Sequence, residues 1–310
     1  MRLCLLLVVF CLLLPGNPAQ ASSGHYAAGS AGIKAGSLPP PGHYAGVLSL
    51  YYSADTIKNR YGKTMDVDYS MDLWMVAPYY SYSSEQRILG ARYAFNILVP
   101  VVHTDFSVGK TFGLELPNHL GVFNIRLSKS DTETGLSDVF ITPVQLTWER
   151  EWFDITTGLG VFIPTGNYSA TNPASPGKGF WTISPSLGGT LYLDKEKTWS
   201  ISALAHYEFH TKQRDTDRTP GNHLFVEWGV GKTFLQIFKA GIVGYHTRQV
   251  THDSGEGSRK NLLRANAIGA EAGVYIPGVN LDVTMRFYKE YDNYSNAQGT
   301  TSVLNVAFPF

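Results

Sequence analysis

The fold class this sequence predicts is all-β: a transmembrane, antiparallel, up-and-down β-barrel. Three observations predict it. Apolar residues recur at every second position over runs such as Met65–Met75. Charged residues make up only 16% of the chain while aromatics reach 13%. The chain ends on Phe310, at the close of an alternating apolar run. Period-two alternation marks a strand with two unlike faces. Runs of about ten residues suit a tilted membrane strand, whereas strands of soluble sheets are usually about 5–6 residues long.

The first element is an export signal. Arg2 precedes an unbroken apolar run, Leu3 to Leu14, and Ala19-Gln20-Ala21 supplies an Ala-x-Ala cleavage site. The run is shorter than the roughly 20 residues a spanning helix needs. Residues 1–21 are therefore expected to be removed, and with them Cys4 and Cys11. The remaining 289 residues hold no cysteine, and 24 basic against 25 acidic side chains. An exported chain of this length without disulfides suits a bacterial envelope better than a secreted eukaryotic domain. The balanced charge argues against nucleic acid as a partner.

Residues 22–44 are rich in Gly, Ala and Pro, and Pro39-Pro40-Pro41 favours polyproline II. Two readings stay open: a partial plug in the periplasmic mouth or lumen, or a loose tail of the kind common at termini. Residues 45–310 form the barrel.

Within it, Met65, Val67, Tyr69, Met71, Leu73 and Met75 alternate with Asp66, Asp68, Ser70, Asp72 and Trp74. Further alternating runs centre on Ala91–Val99, Phe153–Ile163, Trp199–Phe209, Leu224–Val230, Ala270–Ile276 and Val279–Phe287. Aromatics gather at run ends, at Tyr79-Tyr80, Trp148 and Trp152, and Tyr288 and Tyr291, as interfacial girdles do. Short connections fall near Ser84–Gln86, Glu149–Glu151, Asp194–Lys197, Leu235–Gln236 and Pro277–Gly278. Long polar ones span Ala54–Lys63, His103–Gly135, Pro164–Gly179, Thr211–Asn222, Thr251–Lys260 and Glu290–Thr300. Five short and six long connections in alternation join twelve strands. Short turns on the periplasmic side and long outer loops are the rule for such barrels. A further strand hidden in His103–Leu116 would raise the count to 14.

With apolar faces on lipid, ten polar residues are expected to line the lumen and govern selectivity: Asp68, Asp72, Arg92, Asn96, His206, Glu208, Glu227, Glu271, Asp282 and Arg286. Arg92, Arg286, Glu208 and Asp72 are the chief of these. Mixed charge can orient a polar or amphipathic solute, or simply fill a narrow barrel with ion pairs. Twelve strands lie between a filled eight-stranded barrel and an open porin, which favours a narrow path.

Catalysis finds little support. No Gly-x-Ser-x-Gly elbow occurs, and Ser200, Ser202 and His206 share the polar face, away from lipid. Asp215-Thr216-Asp217 lacks the glycine and closing glutamate of an EF-hand. Without cysteine, no paired Cys/His zinc spacing exists. No enzyme activity, cofactor or metal is expected.

Several landmarks point to a family. Gly24-His25-Tyr26, Pro39-Pro40-Pro41-Gly42-His43-Tyr44, Leu89-Gly90-Ala91-Arg92-Tyr93, Gly135-Leu136-Ser137-Asp138, Pro164-Thr165-Gly166-Asn167-Tyr168 and His206-Tyr207-Glu208-Phe209-His210 together resemble the outer-membrane protein family of the phenol meta-degradation pathway. The resemblance runs from Gly24 to Phe310 and implies a barrel that passes small hydrophobic or aromatic compounds. The terminal Leu304, Val306, Phe308 and Phe310 resemble the signal read by the barrel assembly machinery. That machinery, outer-membrane lipid and a small solute are the expected partners, and the bacterial outer membrane the expected location. The expected function is passive passage. A structural or adhesive barrel is the alternative, and a lipid-modifying enzyme a more distant one.

Overall fold

The computed structural model describes residues 24–115, 122–255, 258 and 260–310. The export signal with Cys4, Cys11 and Ala21, and part of the connection expected at 103–135, lie outside the described residues. The strands are β1 (Gly42–Ile57), β2 (Asp68–Ile88), β3 (Ala91–Leu98), β4 (Val101–Glu115), β5 (Val122–Leu136), β6 (Val139–Glu149), β7 (Phe153–Ile163), β8 (Thr182–Tyr192), β9 (Trp199–His210), β10 (His223–Phe234), β11 (Phe238–Gln249), β12 (Arg264–Ile276), β13 (Leu281–Tyr294) and β14 (Ala297–Pro309). All pairings are antiparallel, and β1 closes the barrel by bonding to both β14 and β2.

Fourteen segments make twelve walls. β2 carries β3 along Tyr79–Ile88 and β4 along Asp68–Val76, so β3 and β4 are one spanning strand bent at Val99-Pro100. β6 pairs with β3 and β5 with β4, so these too are one strand, bent at Ser137-Asp138. Pro100 explains the first bend, because proline cannot donate to the ladder. The gap is bridged by Val99 N–H to the Pro78 carbonyl (3.0 Å) and Ser137 N–H to the Pro100 carbonyl (2.8 Å). The twelve-strand expectation holds, and the strand hidden after His103 exists as an extension.

Three connections differ from expectation, the first being His103–Gly135, which is mostly strand, with β4 paired to β5 along its length. The first short turn is Leu89-Gly90, not Ser84–Gln86; both residues have positive φ (52° and 79°), the geometry of a tight hairpin. Glu290–Thr300 is not a long loop, since β13 and β14 continue through it and only Ser295-Asn296 separates them.

The outward face is apolar: Leu187, Ile242, Met285 and Phe287 are each more than half exposed. On β2 the expectation is reversed. Tyr69, Met71, Met75 and Ala77 are buried on the inner face, while Trp74 and Val76 point out. Asp68 and Asp72 therefore do not line the lumen. Asp68 meets Arg126 at 3.3 Å, both largely exposed, and Asp72 accepts a 2.6 Å bond from Tyr51, whose ring packs on the exposed Trp74. Alternation fixes which residues share a face, not which face is inner, and here the lumen wall is itself apolar.

The wall is not continuous at the long-loop end. Among the described strands β5 pairs only with β4. Its other edge meets the connection from 164 to 181, through Asn167 N–H to the Leu136 carbonyl (2.9 Å) and the Ser137 hydroxyl to the Pro176 carbonyl (2.7 Å).

Candidate functional site: a lumenal segment and the cavity beside it

Residues 24–41 occupy the lumen. The segment has no regular secondary structure, so its backbone N–H groups need partners inside the barrel. Inward glutamates on the facing wall supply them. Glu208 of β9 accepts from His25 N–H (2.9 Å) and Tyr26 N–H (2.8 Å). Glu227 of β10 accepts from Gly29 and Ala31 N–H, each at 2.8 Å. Glu271 of β12 accepts from Ile33 N–H at 2.9 Å. Arg286 of β13 donates to Glu271 (2.8 Å) and to the Ser30 carbonyl (3.0 Å). At the short-turn end Arg92 of β3 donates to the Pro39 carbonyl at 2.7 Å and is paired with Glu149. The carboxylates stand in for a neighbouring strand, and bonds to charged acceptors are the stronger class.

Glycine is required where the segment turns. Gly29 and Gly32 have φ of +96° and +94°, and a Cβ on Gly32 would lie 2.0 Å from the Glu271 carboxylate.

The tip of the segment is built around His25. Its Nε2 bonds Asp138 at 2.8 Å, and its Nδ1 bonds the Thr182 hydroxyl at 2.7 Å. Burial pushes this imidazole down to about 4, the bond to Asp138 opposing and the Lys178 ammonium adding to the fall. Lys178 also donates to the Gly24 carbonyl. Tyr26 stacks on His206 with ring centroids 4.2 Å apart.

Beside the tip lies a cavity of about 240 Å³. Its wall toward β1, β2 and β4 is apolar: Leu50, Tyr52, Met71, Leu73, Met75 and Val102. Its polar end is Glu290, which accepts from the hydroxyls of Tyr52 (3.1 Å) and Tyr245 (2.9 Å). Ser137, Pro173 and Pro176 also line it, so it borders the interrupted wall.

Of the ten residues expected to line the lumen, eight do so: Arg92, Asn96, His206, Glu208, Glu227, Glu271, Asp282 and Arg286. Six of these are engaged with the segment rather than with open water: Arg92, His206, Glu208, Glu227, Glu271 and Arg286. Asn96 bonds Gln145 at 3.3 Å, and Asp282 meets Lys239 at 3.3 Å. Sequence reasoning missed the apolar cavity wall, Asp138 and Glu290. Asp138 carried a signal, since Gly135-Leu136-Ser137-Asp138 is among the landmark motifs.

A closed antiparallel barrel of twelve strands with an apolar outer belt and its own lead-in segment inside has the fold of an outer-membrane β-barrel. The chain belongs to the family described as "Putative MetA-pathway of phenol degradation", whose model matches residues 54–306. In fold it is similar to the COG4313 outer membrane channel of Pseudomonas putida F1, with a TM-score of 0.74 at 12% identity, covering 92% of this chain and 100% of that one. It is more distantly similar to the β domain of the Bordetella autotransporter BrkA, with a TM-score of 0.51 at 10% identity, covering 87% of this chain and 100% of that one. No curated protein matches the sequence.

Proposed function

We propose that this protein is an outer-membrane channel for the passive passage of small hydrophobic or aromatic compounds, with residues 24–41 as its internal obstruction. The observation that carries this reading is the apolar cavity beside the tip of the segment. A dry, apolar cavity of about 150 Å³ holds benzene, so 240 Å³ admits a substituted single ring. The Glu290 carboxylate at one end suits a ring bearing a hydroxyl. The rest of the lumen is filled by the segment and its clamps, which leaves little room for a water-filled general pore. The name of the similar P. putida protein, an outer membrane channel, agrees.

The short turns belong to the periplasmic side and the long-loop end to the exterior, following the general rule. Export uses the leader ending at Ala21. The exposure of Leu304 and Phe308 on β14 and of Phe310 just beyond it supports reading them as the assembly signal. Intact cells carrying or lacking the gene test the function, with a radiolabelled monoaromatic phenol at limiting concentration. Uptake should fall without the gene and return with it, and uptake of a sugar of similar mass should not change. Equal phenol uptake in both strains would contradict the reading.

A further inference from the structure

We propose that Glu208, His210 and His223 form a binding site for a divalent transition cation of the zinc class, directly beneath the tip of the lumenal segment. The sheet itself assembles the three ligands. Glu208 and His210 are two apart on β9 and so share its inner face, and His223 is the cross-strand partner of Glu208 on β10. One ligand atom from each lies within 4.8 Å of the others. His210 Nε2 is 3.1 Å from His223 Nδ1 and 3.7 Å from the Glu208 carboxylate. Around a tetrahedral zinc, with bonds of about 2.0–2.2 Å, neighbouring ligand atoms stand about 3.3–3.5 Å apart. The two separations that involve His210 fit after shifts of a few tenths of an ångström, and Glu208 and His223, within 4.8 Å of each other, reach that spacing with a shift of up to about 1.5 Å.

The supporting shell is also in place. Metal-binding imidazoles use their second nitrogen to fix ring orientation. His210 does so, with Nδ1 on the Thr182 hydroxyl at 2.7 Å. Two backbone N–H groups of the segment hold the Glu208 carboxylate, whose oxygens retain lone pairs for a cation. The side chains of Glu208 and His210 are fully buried, and so is His223. One of the facing nitrogens of His210 and His223 donates a hydrogen bond to the other, and a cation would replace that proton. Two neutral histidines and one carboxylate are a known zinc ligand set, with a fourth position left for water. Lys178, Asp253 and the His25 imidazole are the other titratable groups acting on the cluster. The spacing Glu208-x-His210 with His223 after a loop is invisible as a motif, because only the register of β9 on β10 closes it.

The test uses the full chain, folded in detergent, without an affinity tag and stripped with chelator. Titrated with Zn²⁺ in a calorimeter, it should take up one ion per chain at micromolar affinity or better. Co²⁺ in its place should give the intense absorption of a tetrahedral site with nitrogen ligands. His210→Gln and His223→Gln should each weaken binding at least tenfold with an unchanged far-ultraviolet spectrum. Thr182→Val, which removes the orienting bond to His210 together with the bond to His25, should weaken it by about tenfold. No uptake by the folded wild type would overturn the proposal and leave the cluster as a hydrogen-bonded network. Uptake that both histidine variants retain would overturn it as well. If those variants do not fold, the Co²⁺ spectrum of the wild type decides: tetrahedral supports the site, and a weak octahedral spectrum overturns it.

Discussion

The two walls of the lumen do opposite work. The wall formed by β9, β10, β12 and β13 is lined by Glu208, Glu227, Glu271 and Arg286, and grips the backbone of the segment. The wall formed by β1, β2 and β4 presents Leu50, Met71, Met75 and Val102, and leaves a cavity. The first wall binds the middle of the segment, whereas the second holds its Pro39-Pro40 end, through the hydroxyls of Ser83 on β2 (3.3 Å) and Tyr44 on β1 (2.7 Å). The difference also shows why charge in a lumen need not mean selectivity, since most of these charges are occupied by the chain itself.

Glu227→Ala attacks the gripping wall and should have the largest effect. It strands two buried N–H groups, each bond to the carboxylate being worth about 1.5–3 kcal/mol. The docked segment should lose several kcal/mol, seen as frequent opening steps in single-channel records. Glu227→Gln, keeping one acceptor oxygen, should lie between. Met75→Gln attacks the apolar wall without changing its volume. Placing an unpartnered amide there costs about 1–3 kcal/mol, so the affinity of the purified protein for a monoaromatic hydrocarbon, measured by calorimetry, should fall about tenfold while conductance stays unchanged. The smallest effect belongs to Asp68→Asn with Asp72→Asn. Both residues point outward, so ion selectivity in planar bilayers should not move. A clear shift would return them to the lumen.

Much of this contrast was legible before the structure. The order of short and long connections predicts twelve strands, and alternation groups the polar positions of β9, β10, β12 and β13 on one face of each strand. β2 was read inside out because Met71, Leu73 and Met75 look the same whether they meet lipid or an apolar lumen. The Ser84–Gln86 turn was misplaced because polar composition marked it, whereas the tight hairpin needs the positive φ that Leu89 and Gly90 adopt. The Gly- and Pro-rich lead-in left plug and tail equally open. What decides between them is a set of carboxylates up to 238 residues away in sequence, a pairing no local pattern contains.

The most direct test of the obstruction is the single-channel conductance of the folded chain with residues 24–38 removed, compared with the intact protein in the same bilayer. A stable, severalfold higher conductance is the predicted result. An unchanged conductance from a barrel of unchanged strand content would contradict the account.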